Sequence, residues 1–173
     1  MNKNQIDVER IIKDTGLPRA AQVALLANIA VETGNSFNFK QSQRGASKPA
    51  KGLLQFDPKG KLNNYKAYLD INKDTDSAQN QINYFMDTIY GDSKKEIGHG
   101  VAARLRDIIS TGDYKEVTQA LTDMWFKPGT PHMDRRMDEA YNYTLRDQNR
   151  DNRRTRELPL NVTGLESSIW YLY

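Results

Sequence analysis

Apolar residues recur at three- and four-residue steps through most of the chain, and polar stretches separate them, a pattern that predicts a mostly α protein. Val8, Ile11 and Ile12, with Ile6 leading in, give a short amphipathic helix over residues 6–14 that breaks at Gly16-Leu17-Pro18. The most hydrophobic helix follows, from Pro18 to Thr33. Pro18 suits a first helical position, and Gly34 suits the residue just past the end. Positions 21, 25, 28, 29 and 32 share one face of it and read Ala, Leu, Asn, Ile, Glu. Residues 61–69 turn Leu62, Tyr65 and Leu69 inward. Asp74-Thr75-Asp76 offers an N-cap for a helix over 77–90 whose core stripe is Ile82, Phe85, Met86 and Ile89. Val101, Leu105, Ile108 and Ile109 repeat the pattern over 101–110. Asp113-Tyr114-Lys115-Glu116 has capping-box form, and its helix buries Val117, Ala120, Leu121 and Met124 before ending near Trp125-Phe126. Thr130-Pro131 reads as the cap and first proline of a last helix, with Met133, Met137, Ala140 and Tyr141 inside.

Two stretches escape the pattern. Residues 34–60 are polar, punctuated by glycine and proline, and without helical period. A loop this long inside a compact domain tends to carry function. Residues 146–157 are almost wholly charged or polar and read as an exposed helix end or linker, after which Leu158–Tyr173 turn apolar again. An exposed aromatic tail is a sticky liability, so this segment is expected to pack on the domain or dock on a partner.

Glu32 is the residue with chemistry in view. It stands on a largely apolar stripe in the last turn of the most hydrophobic helix. Burial and the negative end of the helix dipole both disfavour a carboxylate there, so its pKa is expected to rise. A carboxyl group kept protonated near neutral pH can donate a proton to a leaving group. The structural alternative is a glutamate that bends into solvent or pairs with a buried arginine.

Ala27-Asn28-Ile29-Ala30-Val31-Glu32-Thr33-Gly34, followed by Gly52-Leu53-Leu54-Gln55-Phe56, resembles the phage tail lysozyme family, within the lysozyme and lytic-transglycosylase group. Gln81-Ile82-Asn83-Tyr84, and Trp125-Phe126-Lys127-Pro128-Gly129 leading into Arg135-Arg136, extend the match over about residues 18 to 145. The resemblance implies a lysozyme-like fold in which residues 34–60 form a long cleft-bordering loop or a small β region. It implies Glu32 as the catalytic acid, and a glycan cleft lined from the Gly-Leu-x-Gln-aromatic turn. Candidate sugar contacts are Ser42, Gln43, Gln55, Phe56, Tyr84 and Trp125; the loop residues, Ser42 and Gln43 above all, could instead be solvated, and Tyr84 could be a half-exposed aromatic. Asp57 is the nearest candidate for a second acid, although an Asp before Pro58 more commonly caps a turn. Many relatives carry an acid where this chain has Phe126. With no clear second acid, a transglycosylase outcome assisted by the substrate's own N-acetyl group stays open beside hydrolysis.

Composition narrows the alternatives. The chain has 173 residues, enough for one domain with a sizeable core, here placed at 1–145 with 146–173 as charged linker and apolar tail. Cysteine is absent, and His99 and His132 stand apart, which removes thiol peptidases and zinc amidases from consideration. No cofactor or metal is expected. The mean hydropathy of -0.78 and the lack of any long apolar run predict no membrane span. Met1-Asn2-Lys3-Asn4-Gln5 leads into no apolar signal region, so a virion-borne enzyme or one held in the host cytoplasm before lysis is expected. A net charge of +3 favours encounter with anionic polymers, while the interleaved acids argue against nucleic acid. The expected partners are peptidoglycan glycan strands and, through the tail, phage virion proteins. The competing reading is a non-catalytic tail or glycan-binding protein that keeps a lysozyme fold.

Overall fold

The helices lie close to their expected limits: α1 (Lys3–Asp14), α2 (Arg19–Thr33), α3 (Lys61–Asn72), α4 (Ala78–Tyr90), α5 (His99–Thr111), α6 (Tyr114–Ala120) and α7 (Met133–Glu157). The computed structural model describes residues 1–42, 49–58 and 60–157. Gln43 and the tail from Leu158 to Tyr173 lie outside the described residues.

Helix α2 is the centre of the packing. Ala21 through Ala30 are all buried, so the helix is enclosed on every side rather than along one stripe. It packs most broadly against α7 and α6, and also against α1. Gly34 ends it at φ +57°, where the N–H groups of Gly34 and Asn35 reach the carbonyls of Val31 (3.3 Å) and Ala30 (2.7 Å). Glycine takes that left-handed conformation without the Cβ clash other residues meet.

The capping box ahead of α6 forms as expected. The Asp113 carboxylate accepts from the Lys115 (2.8 Å) and Glu116 (3.0 Å) amides, and Glu116 accepts from the Asp113 amide (3.3 Å). The helix then widens into a π turn over Leu121–Phe126, and a short 3₁₀ turn, Asp92–Glu96, precedes α5; neither was visible in the periodicity.

One difference from the sequence expectation bears on the site. Helix α7 begins at Met133 rather than at Thr130-Pro131, because His132 sits at φ +47° outside the helix. It then runs unbroken to Glu157, so residues 146–157 continue the last helix. Between residues 34 and 60 the described chain forms only isolated bridges, Ser42 with Lys51 and Lys51 with Phe56, which is the loop of the two forms expected there.

The aromatic residues build a core layer. Phe56 stacks on Tyr65 at 4.7 Å between ring centres, and Tyr84 and Trp125 meet it edge-on at 5.7 and 6.4 Å. The Trp125 indole N–H donates to Thr88 Oγ1 at 2.9 Å, so its polar atom is satisfied inside the protein. Phe56, Tyr84 and Trp125 are each at most 1% exposed, which corrects their expected place as sugar contacts: these rings face one another, not the solvent. The Tyr84 hydroxyl is buried with no hydrogen-bond partner among the described residues, and burial raises its pKa.

Candidate active site

Glu32 ends α2 at the floor of a cleft of about 550 Å³. One wall is the turn carrying Gln55 and Asp57. The other is the segment from Phe126 to His132 with the first turn of α7. The Glu32 side chain is 15% exposed, so it is enclosed yet reachable from the cleft.

Its partner is Arg136, 1% exposed, whose Nη2 donates to Glu32 Oε1 at 2.5 Å. Each of the three guanidinium nitrogens makes a hydrogen bond. Nη1 donates to Asn28 Oδ1 at 2.6 Å and Nε to the Pro131 carbonyl at 2.6 Å. Asn28, one turn before Glu32, is also fixed: its amide donates to the Ala24 carbonyl, and its oxygen accepts from Thr122 Oγ1 at 2.9 Å. A single arginine thus joins the acid, the core helix and the lip of the cleft. The buried-arginine alternative for Glu32 is therefore present in fact. Arg136 stood in a matching motif, but nothing in its spacing showed that it would turn inward.

The opposite wall is held from below. Gly52 opens its turn at φ +84°, and a Cβ there would come within 2.4 Å of Gln81 Oε1. That same oxygen accepts from the Leu53 amide (2.8 Å), while Gln81 Nε2 donates to the Phe39 carbonyl (2.9 Å) and Asp76 (2.8 Å). Gln81, buried in α4, pins the turn across 28 residues of sequence. Gln55 lies at φ +45°, and its side chain donates to the Gly52 carbonyl at 2.9 Å, which fixes the cleft edge it lines. Asp57 is exposed on the same wall, and its carbonyl accepts from the Leu62 amide (2.9 Å) as α3 begins.

Lys61, in the first turn of α3, donates to the Trp125 carbonyl at the end of the π turn, with its ammonium 4.0 Å from the indole centre. It ties the two walls together behind the cleft. Burial, with Lys127 adding repulsion, lowers its pKa to about 8, against the opposite pull of Asp57 and Glu32.

Of the expected site residues, the structure brings Glu32, Gln55 and Asp57 to one cleft. Ser42 is exposed in a separate hollow beside Thr33, Ser36 and Gln41. The cleft's aromatic is Phe126, partly exposed, with the Arg136 guanidinium 5.7 Å from its ring centre. Phe126, Lys127, His132 and Arg135 were not expected to line the site. Their side chains are placed by the way the chain leaves the π turn, which residue types alone do not show.

No helix among the described residues is long and apolar enough to cross a membrane. A family model described as phage tail lysozyme matches residues 3–145. No curated protein and no solved structure matches the chain.

Proposed function

The chain belongs to the phage tail lysozyme family, and from that premise we propose that it cleaves the β-1,4 bond between N-acetylmuramic acid and N-acetylglucosamine in peptidoglycan, with Glu32 as general acid. The observation that carries this reading is the position of Glu32: a half-enclosed carboxyl at the floor of an open cleft, between a turn and a proline-rich lip. Arg136 engages Oε1, which leaves Oε2 for the glycosidic oxygen. Proton transfer from Glu32 to that oxygen breaks the bond to the leaving sugar, and the guanidinium then faces the carboxylate so formed. The positive charge developing at the sugar's anomeric carbon is met either by water, with Asp57 as the candidate base, or by the substrate's own acetamido oxygen. The first gives a reducing end. An anhydro end arises when the sugar's 6-hydroxyl closes on the same carbon, displacing the acetamido oxygen and giving its proton back to the Glu32 carboxylate. Carboxyls about 6.5–9.5 Å apart leave room for that water, and about 5 Å would favour a covalent route.

One observation favours the second reading, a virion protein that binds glycan without cutting it. Glu32 is paired with a buried arginine, as a purely structural carboxylate would be. Digestion of purified peptidoglycan by the wild type and by Glu32→Gln, with products read by mass spectrometry, separates the two. Soluble muropeptides from the wild type alone support cleavage at Glu32. A folded wild type that releases none overturns the enzyme reading in favour of binding.

A further inference from the structure

Resting on the reading of this cleft as a peptidoglycan site, we infer that Lys127 and Arg135 form an anion subsite that takes a carboxylate of the substrate, so that the protein selects charged muramyl glycan over a neutral N-acetylglucosamine polymer.

Among the described residues that line the cleft the charges do not balance. Arg136 is matched by Glu32 and is closed to solvent. Beside that pair, the described lining residues supply the carboxylate of Asp57 and the two exposed cations Lys127 and Arg135. Neither cation forms an ion pair or a side-chain hydrogen bond with another described residue. Lys61 adds a further positive charge behind the same wall, close enough to Lys127 for the two to repel. A cleft walled by low-dielectric protein concentrates the field of such charges, and an anionic group on the ligand would relieve their repulsion.

The cations also stand on a fixed frame. Lys127 ends the π turn at φ +47° with its amide on the Thr122 carbonyl (2.8 Å), and His132 at φ +47° closes the other end of the lip. Pro128 and Pro131 stiffen what lies between, and the Pro131 carbonyl is held by Arg136. Arg135 follows on the first turn of α7, next to the anchored Arg136. A charge on a rigid support loses less freedom on binding than one on a loose loop. A neutral sugar polymer offers these two side chains only hydroxyls and amides. A muramyl glycan offers the carboxylates of its stem peptide or, once the peptide is removed, that of the lactyl ether.

The test uses binding and turnover separately. Glu32→Gln protein, with and without Lys127→Gln and Arg135→Gln, is titrated calorimetrically with three glycans of equal length: stem-bearing, peptide-stripped and neutral chitooligosaccharide. Expected is a preference of roughly tenfold for a carboxylate-bearing glycan at low salt, lost in the Lys127→Gln/Arg135→Gln protein and shrinking as salt rises. Preference for the stem-bearing form alone assigns the peptide carboxylates, and equal preference for the stripped form assigns the lactyl group. In the otherwise wild-type enzyme the double substitution should raise KM by a similar factor and leave kcat within about twofold, because the pair binds substrate and transition state alike. Charge reversal at both sites should invert the salt dependence. Equal affinity for neutral and charged glycans, or an unchanged preference in the double variant, overturns the subsite whether or not the wild type cleaves. A charge preference that depends on Lys127 and Arg135 in a protein that cleaves nothing upholds the subsite and defeats only the cleavage reading.

Discussion

Arg136→Met is the perturbation that most directly probes how site and fold are joined. Methionine keeps much of the unbranched stem and removes the guanidinium. Three hydrogen bonds disappear, to Glu32, Asn28 and Pro131, and Glu32 is left as a half-enclosed carboxylate without its counter-ion. Removing one member of a buried ion pair costs about 3–5 kcal/mol, chiefly through the charge left behind. Glu32→Gln keeps an acceptor for Nη2 but leaves the more deeply buried Arg136 charge without its counter-ion, so it should also cost several kcal/mol, about 2–4. Each single variant strands a charge that the double variant does not, so the double should be less destabilised than the sum by at least about 1 kcal/mol. Urea unfolding followed by far-ultraviolet circular dichroism measures all four proteins. For a domain of this size the Arg136→Met loss corresponds to a fall in Tm of roughly 6–20 °C. A loss below about 1 kcal/mol, or costs that simply add, would refute the claim that Arg136 and Glu32 form one energetic unit. The cycle also supplies the folding control for digestion assays of Glu32→Gln, since loss of activity counts only in protein that remains folded.

Other substitutions give sharper signs. Tyr84→Phe removes a buried hydroxyl with no partner among the described residues, so stability should stay level or rise by up to about 1 kcal/mol with peptidoglycan digestion unchanged; a marked loss of either would show the hydroxyl is in use. Gly52→Ala meets both a left-handed backbone and the Gln81 side chain. It should cost about 2–4 kcal/mol in urea unfolding and weaken glycan binding, whereas a neutral effect would mean the turn is not held as described. Lys61 titrates near pH 8 in the folded protein against 10.5 when free. Below pH 8 both states hold the proton, and between pH 8 and 10.5 the unfolded chain holds it when the native one does not. Wild-type stability should therefore rise with pH relative to Lys61→Met across that window, by up to about 3 kcal/mol, and parallel stability curves would exclude the burial described for its ammonium.

What could be read from the sequence was what is local. Gly34 announces the end of α2, Asp113 and Glu116 announce the start of α6, and both signals work within four residues of chain. Glu32 was found because an acid in the most apolar helix violates the pattern around it. The partners were hidden because they depend on where distant segments meet. Arg136 lies 104 residues from Glu32, and only the docking of α7 against α2 turns it inward. Periodicity marks an aromatic as buried or exposed but not which side of a wall it occupies, so Phe56, Tyr84 and Trp125 were expected at the cleft while Phe126 lines it. The lip from Lys127 to His132 rests on left-handed backbone at non-glycine residues, for which the residue types give no signal.

Helix α7 has a consequence for how this molecule can be handled. It is an unbroken rod of 25 residues with Arg136 in its first turn. At 1.5 Å per residue, the length of helix from Arg136 to Glu157 is about 32 Å. A fluorophore or a solid support attached at the last described turn of α7 sits on the rod at the end remote from the cleft. Immobilisation through that end should leave the mouth facing outward, and a pull on it would be borne along the helix axis by the same element that seats the acid's partner.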